Sequence, residues 1–149
     1  MKQRPSTEIL FVVLPDTLLL DWARRAEAYR MANQSYIARG EQAPFVLRFM
    51  GPRSSATSSV GALIAGLEPL PTSLPPGCWV VLSGSSSVPV FASAGATKDL
   101  VKWLARARPG ENDTRLITIC SGAVLAARAG LLKDKSATTH HQHLDELAA

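Results

Sequence analysis

The sequence predicts an α/β fold: a doubly wound, mostly parallel sheet with helices on both faces. Three observations predict it. Residues Ile9 to Leu14 form an unbroken apolar run rich in β-formers, as expected of a strand buried on both sides. Strand-like runs alternate along the chain with segments of helical periodicity, the pattern of βαβ units. The last such run, Leu116 to Ile119, leads through small residues straight into an alanine-rich helix.

The elements follow in order. Pro15 stops the first strand, and Asp16 and Thr17 offer an N-cap for a helix. Leu18, Trp22, Ala26 and Tyr29 then recur at i, i+4, i+8 and i+11, so that helix has one apolar face and ends before Gly40. Phe45 to Phe49 reads as a second strand closed by Gly51-Pro52. From Arg53 to Pro76 the Ser, Thr, Gly and Pro content rises, and only Val60 to Ile64 is apolar enough for a short strand. Trp79 to Leu82 is a third buried strand, followed by the small-residue loop Ser83-Gly84-Ser85-Ser86-Ser87. Leu100, Trp103, Leu104 and Ala107 form the buried stripe of a second helix that Pro109-Gly110 ends. After the fourth strand a helix runs to Ala129 with Gly130 at its C-terminus, and Thr138 and Thr139 offer caps for a final helix to Ala149.

The chain has 149 residues, 46% hydrophobic and 19% charged, which suits one globular domain that needs neither disulfide nor metal to hold a core. Collagen-like, mucin-like and disulfide-scaffold classes are excluded by this composition. No apolar run approaches the roughly 18 residues of a membrane span. The run at Ile9 lacks a small-residue cleavage site after it, so it reads as structure and a cytoplasmic protein is expected. Cys78 and Cys120, far apart, read as two reduced thiols. The net charge of +4 comes from basic residues spread along the chain, without a helix-turn-helix, zinc-ligand or RNA-binding pattern. Charge alone therefore predicts no DNA binding.

In doubly wound sheets reactive groups gather beyond the carboxyl ends of strands, and Asp21, Gly84 and Cys120 are expected there. Cys120 ends a strand and begins a helix, the turn geometry that exposes a nucleophile. Helix amides at such a turn stabilise a thiolate, and the N–H of Ser121 with one from the Gly84-Ser85 loop can form an oxyanion hole. The plainer reading of Cys120 is an inert buried thiol. Cys78, beside Trp79 at a strand start, reads as core. Asp21 either complements the helix dipole or, if the turn folds over the sheet edge, serves as general acid or base toward Cys120. His140, His141 and His143 cluster locally, but a zinc site wants further ligands and none is evident in the spacing.

Cys120-Ser121-Gly122-Ala123-Val124-Leu125, then Ala129-Gly130-Leu131-Leu132 and Ala137-Thr138-Thr139-His140, resemble the DJ-1/PfpI superfamily. The branch they resemble is the glutamine-amidotransferase-like domain of AraC-type transcriptional regulators and isonitrile hydratases. Leu14-Pro15, Leu20-Asp21 and Glu27-Ala28-Tyr29 are similar to that branch's first strand and helix. The resemblance implies a flavodoxin-like, usually dimeric domain with Cys120 at the elbow and Asp21 facing it. It implies a ligand pocket bordered by Gly84, Ser85, Ser121 and His140. Three departures stand out. Arg24-Arg25 replace the usual Gly-Pro, Ser85 follows Gly84 where a second glycine is usual, and Ser121 replaces the histidine of the peptidase-like branch, which removes the base of a Cys-His protease. The branch normally continues past the His140 region with a further strand and helix, and the regulators with a helix-turn-helix pair, so residues 1–149 read as one domain without those parts.

Two functions follow from the resemblance. The first is a ligand- or redox-sensing regulatory domain, a homodimer that takes a small molecule and does not itself bind DNA or membrane. The alternative is an isonitrile hydratase-like enzyme that needs no cofactor. In it the Cys120 thiolate attacks the isocyanide carbon, Asp21 supplies a proton, and water hydrolyses the thioimidate to an N-substituted formamide. A third reading is a thiol sensor in which Cys120 oxidises reversibly to the sulfenic acid.

Overall fold

The computed structural model describes residues 6–85 and 95–148. The expected Ser86 and Ser87 of the small-residue loop and Ala149 of the last helix lie outside them. Strands β1 (Thr7–Val12), β2 (Phe45–Gly51), β5 (Glu68–Pro69), β6 (Trp79–Leu82) and β7 (Arg115–Thr118) form one sheet. Its order is β5-β2-β1-β6-β7 and every pairing in it is parallel. The short strands β3 (Ser55–Thr57) and β4 (Leu63–Ala65) pair antiparallel as a separate hairpin.

Two apolar layers sandwich the sheet, as the alternation of side chains along a strand requires. On one face Ile9, Phe11, Val81 and Ile119 pack under helix α1 (Leu19–Ala38), which contributes Trp22, Ala26 and Tyr29. On the other, Leu10, Val12, Val80 and Leu82 meet Leu100, Trp103 and Leu104 of α2 (Ala96–Ala107) and Val124 and Leu125 of α3 (Gly122–Arg128). The fold is thus the doubly wound α/β sheet with helices on both faces. Cys78 lies in the second layer, fully buried. No helix among the described residues is long and apolar enough to cross a membrane.

Chain order reverses at β1, whose neighbours are β2 on one side and β6 on the other. A crevice opens above the carboxyl ends of strands at such a switch point, because the crossovers on either side leave in opposite directions. This places the ends of β1, β6 and β7 where a ligand would be held.

Three local expectations are corrected. Asp16 and Thr17 do not cap α1; the cap position is Leu18, without a side-chain bond. Thr17 is fully buried, and its hydroxyl pairs with that of Ser83 at 3.1 Å, a partner supplied by the end of β6. The apolar run at 60–64 is not one strand. It holds the tip and the return strand of the hairpin, with the Ser58 hydroxyl accepting the Ala62 N–H across the turn. At the far end, Thr139 gives its hydroxyl to the Cys120 carbonyl, and the His140 ring takes the capping role by accepting the Gln142 N–H. A short 3-10 turn and α4 (Leu144–Ala148) follow.

Candidate functional site

Four segments meet above the carboxyl ends of β1, β6 and β7. Cys120 sits between β7 and α3 with φ of +51°, a left-handed conformation that a non-glycine residue adopts only when its surroundings hold it there. Those surroundings are specific. A Cβ on Gly84 would lie 2.6 Å from the Ser121 hydroxyl oxygen, 3.0 Å from the Ser121 nitrogen and 3.2 Å from Cys120 Cβ. A Cβ on Gly122 would lie 2.3 Å from the Leu82 carbonyl oxygen. Glycine at 84 and 122 therefore lets the β7–α3 turn press onto the end of β6.

Polar contacts tie the turn to its neighbours. The Ser85 N–H donates to Ser121 Oγ at 3.2 Å, and the Ser121 hydroxyl donates to the Ser85 carbonyl at 3.4 Å. Ser85 Oγ faces the carbonyls of Pro15 and Asp16 at 3.2 and 3.3 Å. The Leu18 N–H reaches the Gly84 carbonyl at 3.2 Å, and Thr17 bridges both Ser85 and Ser58. Thr139 closes the other side through its 2.9 Å bond to the Cys120 carbonyl.

Asp21 lies in the first turn of α1, its N–H bonded to Leu18 and its carbonyl receiving the Arg25 guanidinium at 2.9 Å. Its carboxyl oxygen Oδ2 and the indole nitrogen of Trp22 are buried without a hydrogen-bond partner among the described residues. Trp22 packs with Cys120 against the apolar layer under α1, so the start of this helix and the cysteine share one side of the sheet. Arg24 is exposed, whereas Arg25 is half-buried against the backbone of Asp21. Gly84, Ser85, Ser121 and Cys120 are thus brought into direct contact, and Asp21 is joined to them through Leu18.

His140 follows Thr139 in the chain, but its ring meets His141, tilted with centroids 4.2 Å apart, and accepts the Gln142 N–H, so its contacts are within its own segment. His143 bonds Glu146 at 3.2 Å. Among the described residues no cluster of three or more His, Cys, Asp or Glu side chains is arranged to hold a metal ion. Cys78, the other thiol, is held above its ordinary pKa by burial, with the charge of Glu8 adding to the effect.

By sequence, no family model and no curated protein matches the chain. Solved structures do. A Vibrio parahaemolyticus protein assigned as a transcriptional regulator superposes with a TM-score of 0.69 at 14% identity, over 96% of this chain and 72% of that one. Drosophila melanogaster DJ-1beta superposes with a TM-score of 0.62 at 16% identity, over 97% of this chain and 71% of that one. This is the fold of the DJ-1/ThiJ/PfpI proteins. An AraC family transcriptional regulator from Pseudomonas putida shares the DJ-1/ThiJ/PfpI fold as well, with a TM-score of 0.61 at 15% identity over 95% of this chain and 71% of that one.

Sequence reasoning missed three participants in this DJ-1/ThiJ/PfpI-fold site. Thr139 reads locally as a helix cap, and only its position beside the cysteine turn shows it anchoring Cys120. Thr17 and Ser83 form a buried hydroxyl pair beneath the site. Their signal was a hydroxyl residue just beyond each of two buried apolar strands, where a buried hydroxyl needs a partner.

Proposed function

We propose that the chain is a sensing domain of the regulatory kind, in which Cys120 and Asp21 line the site of a small ligand or oxidant. Gly84, Ser85 and Ser121 form the cradle beneath the thiol, and His140 borders it. One observation carries this reading: the Ser85 N–H, the loop donor an acyl-transfer enzyme would aim at an oxyanion, is already bonded to Ser121 Oγ. A sensing thiol needs access and a defined turn, and no free oxyanion donor. The test is treatment of the folded protein with peroxide and trapping of sulfenic acid by a carbon nucleophile, read by mass spectrometry at both cysteines. Trapping at Cys120 and not at Cys78 is expected; equal or absent labelling at Cys120 overturns the redox form.

A second reading has its own support. The Asp21 Oδ2 atom, buried and without a hydrogen-bond partner among the described residues, is available as the proton donor that an isonitrile hydratase-like enzyme needs. The chemistry would be thiolate attack on the isocyanide carbon, protonation of that carbon, and hydrolysis of the thioimidate to the formamide with return of the thiol. Formation of N-cyclohexylformamide from cyclohexyl isocyanide, abolished in Cys120→Ala and in Asp21→Asn, would put this reading first. The sensing reading expects none.

A further inference from the structure

On the face of the sheet opposite Cys120, the carboxyl end of β2 opens into a cleft of about 310 Å³ between the 51–54 turn, the β5 segment and α2. Asp99, Trp103 and Arg106 fall at i, i+4 and i+7 on α2 and line it together, while Leu67 and Leu70 add apolar surface. Trp103 is held in place by its own indole N–H, which donates to the Pro71 carbonyl at 2.7 Å.

The charges are arranged unequally. Arg53 reaches from the turn to Asp99 at 2.9 Å, and the same nitrogen donates to the Pro52 carbonyl, so the rest of its guanidinium fork has no partner among the described residues. Arg106 has no hydrogen-bond partner among the described residues. Two guanidinium groups against one carboxylate leave the cleft with one positive charge. A planar guanidinium matches a carboxylate through two parallel N–H donors, and an uncommitted one beside apolar walls is a recognition element. Asp99 works in the other direction, because a second negative charge on the ligand would be placed against it. The cleft is near the lower end of the ~300–1,000 Å³ range of small-molecule sites and opens beyond the carboxyl end of β2, away from the switch point at β1.

We propose that this cleft binds a small monocarboxylate with an apolar body, the carboxylate on Arg106 and the body against Leu67, Leu70 and the edge of Trp103 that lines the cleft. The site is separate from Cys120 and does not depend on the sensing reading.

The test is titration of the whole protein with benzoate, its neutral relative benzamide, and inorganic phosphate, followed by calorimetry. Benzoate is expected to saturate one site, with benzamide and phosphate each weaker by about tenfold or more. Arg106→Gln should weaken benzoate by about tenfold, since it removes the charge and the paired donors. Asp99→Asn should do the opposite, freeing Arg53, tightening benzoate and admitting phosphate. That gain of binding cannot come from a misfolded variant. Equal binding of benzoate and benzamide, no effect of Arg106→Gln, or weaker benzoate binding in Asp99→Asn would overturn the proposal. So would loss of benzoate binding on alkylation of Cys120, which would place the ligand at the other site.

Discussion

Gly84 and Ser121 are in contact across the two loops that flank the cysteine: a methyl group on Gly84 would stand 2.6 Å from the Ser121 hydroxyl oxygen. The same hydroxyl bonds both backbone groups of Ser85, so the close approach and the hydrogen bonds are one device. It presses the β7–α3 turn onto the end of β6 and holds the cradle under Cys120.

Gly84→Ala is therefore expected to lose about 1–3 kcal/mol of stability, the range for forcing a methyl into a filled space. Ser121→Ala removes the hydroxyl bonds and is expected to lose about 1 kcal/mol. The pair should be less than additive, because without the Ser121 oxygen the closest clash disappears. Urea melts of the two single variants and the double variant give the coupling; strict additivity would mean the two loops do not press on one another.

The left-handed backbone at Cys120 leads to an ordering of substitutions. A non-glycine residue there carries a strain of about 1–2 kcal/mol, so Cys120→Gly should be more stable than Cys120→Ala by roughly 1 kcal/mol after the entropy of the unfolded glycine is counted. Cys120→Val, β-branched, should be the least stable of the three. Denaturation midpoints compared at equal slope check the order, and Ala more stable than Gly would contradict the strained turn.

Thr139→Val deletes the hydroxyl that holds the Cys120 carbonyl while keeping the side chain's shape. A loss of about 1 kcal/mol is expected. Since the bond also pins the segment before the 3-10 turn, trypsin should cut faster at Lys133 and Lys135. An unchanged digestion rate would mean that this segment is held by its other contacts.

The two thiols should separate by alkylation in the folded protein. Cys78 is fully buried, and burial raises its pKa, so it should react only on unfolding, while half-buried Cys120 reacts first. Because the folded state keeps the Cys78 proton to higher pH than the unfolded state does, stability is full below the ordinary thiol range. It falls as pH rises through that range, since the unfolded chain then releases a proton that the folded one retains. Cys78→Ala should remove that part of the alkaline slope.

At acid pH the Arg48 cluster acts with the opposite sign. Arg48 on β2 bridges Glu8 of β1 and Glu68 of β5, and its hydrogen bonds hold the Glu68 carboxyl below its ordinary range. The resulting stability is present above the ordinary Glu pKa and is lost as pH falls through the lowered one. Both side chains are about a third or more exposed, so solvent screens the effect and it should be small. Thermal melts from about pH 6 to about pH 3, roughly 1.5 units either side of the ordinary Glu value, should show a shallower acid slope in Glu68→Gln; an unchanged slope would mean the pair is screened out.

Much of this architecture was legible as local pattern. The strand read at Trp79 to Leu82 is β6 residue for residue, and Trp22, Ala26 and Tyr29 of the expected apolar stripe are on the face α1 turns to the sheet, whereas Leu18 precedes the helix as its cap position. Both are signals of burial period, and burial period is a property of neighbouring residues. The hairpin at 55–65 was not legible, because strands of three residues carry too short an alternation to read. Thr17 and Thr139 were misread for a related reason. Each is a good local cap by residue type, but each finds a better partner far along the chain, Ser83 and the Cys120 carbonyl, which no local window contains.

By itself the sequence determined the α/β class, most of the elements, the burial of Cys78 and the cysteine-bearing turn after the last strand, since all of these follow from residue type and short-range periodicity. Only the tertiary structure decided that the ends of β1, β6 and β7 converge, that Gly84 meets Ser121, that Thr139 holds Cys120, and that the uncommitted Arg106 shares a cleft with Trp103 and the β2 turn. Those relationships depend on the order in which parallel crossovers place the strands, and that order is set by packing the helices on both faces of one sheet.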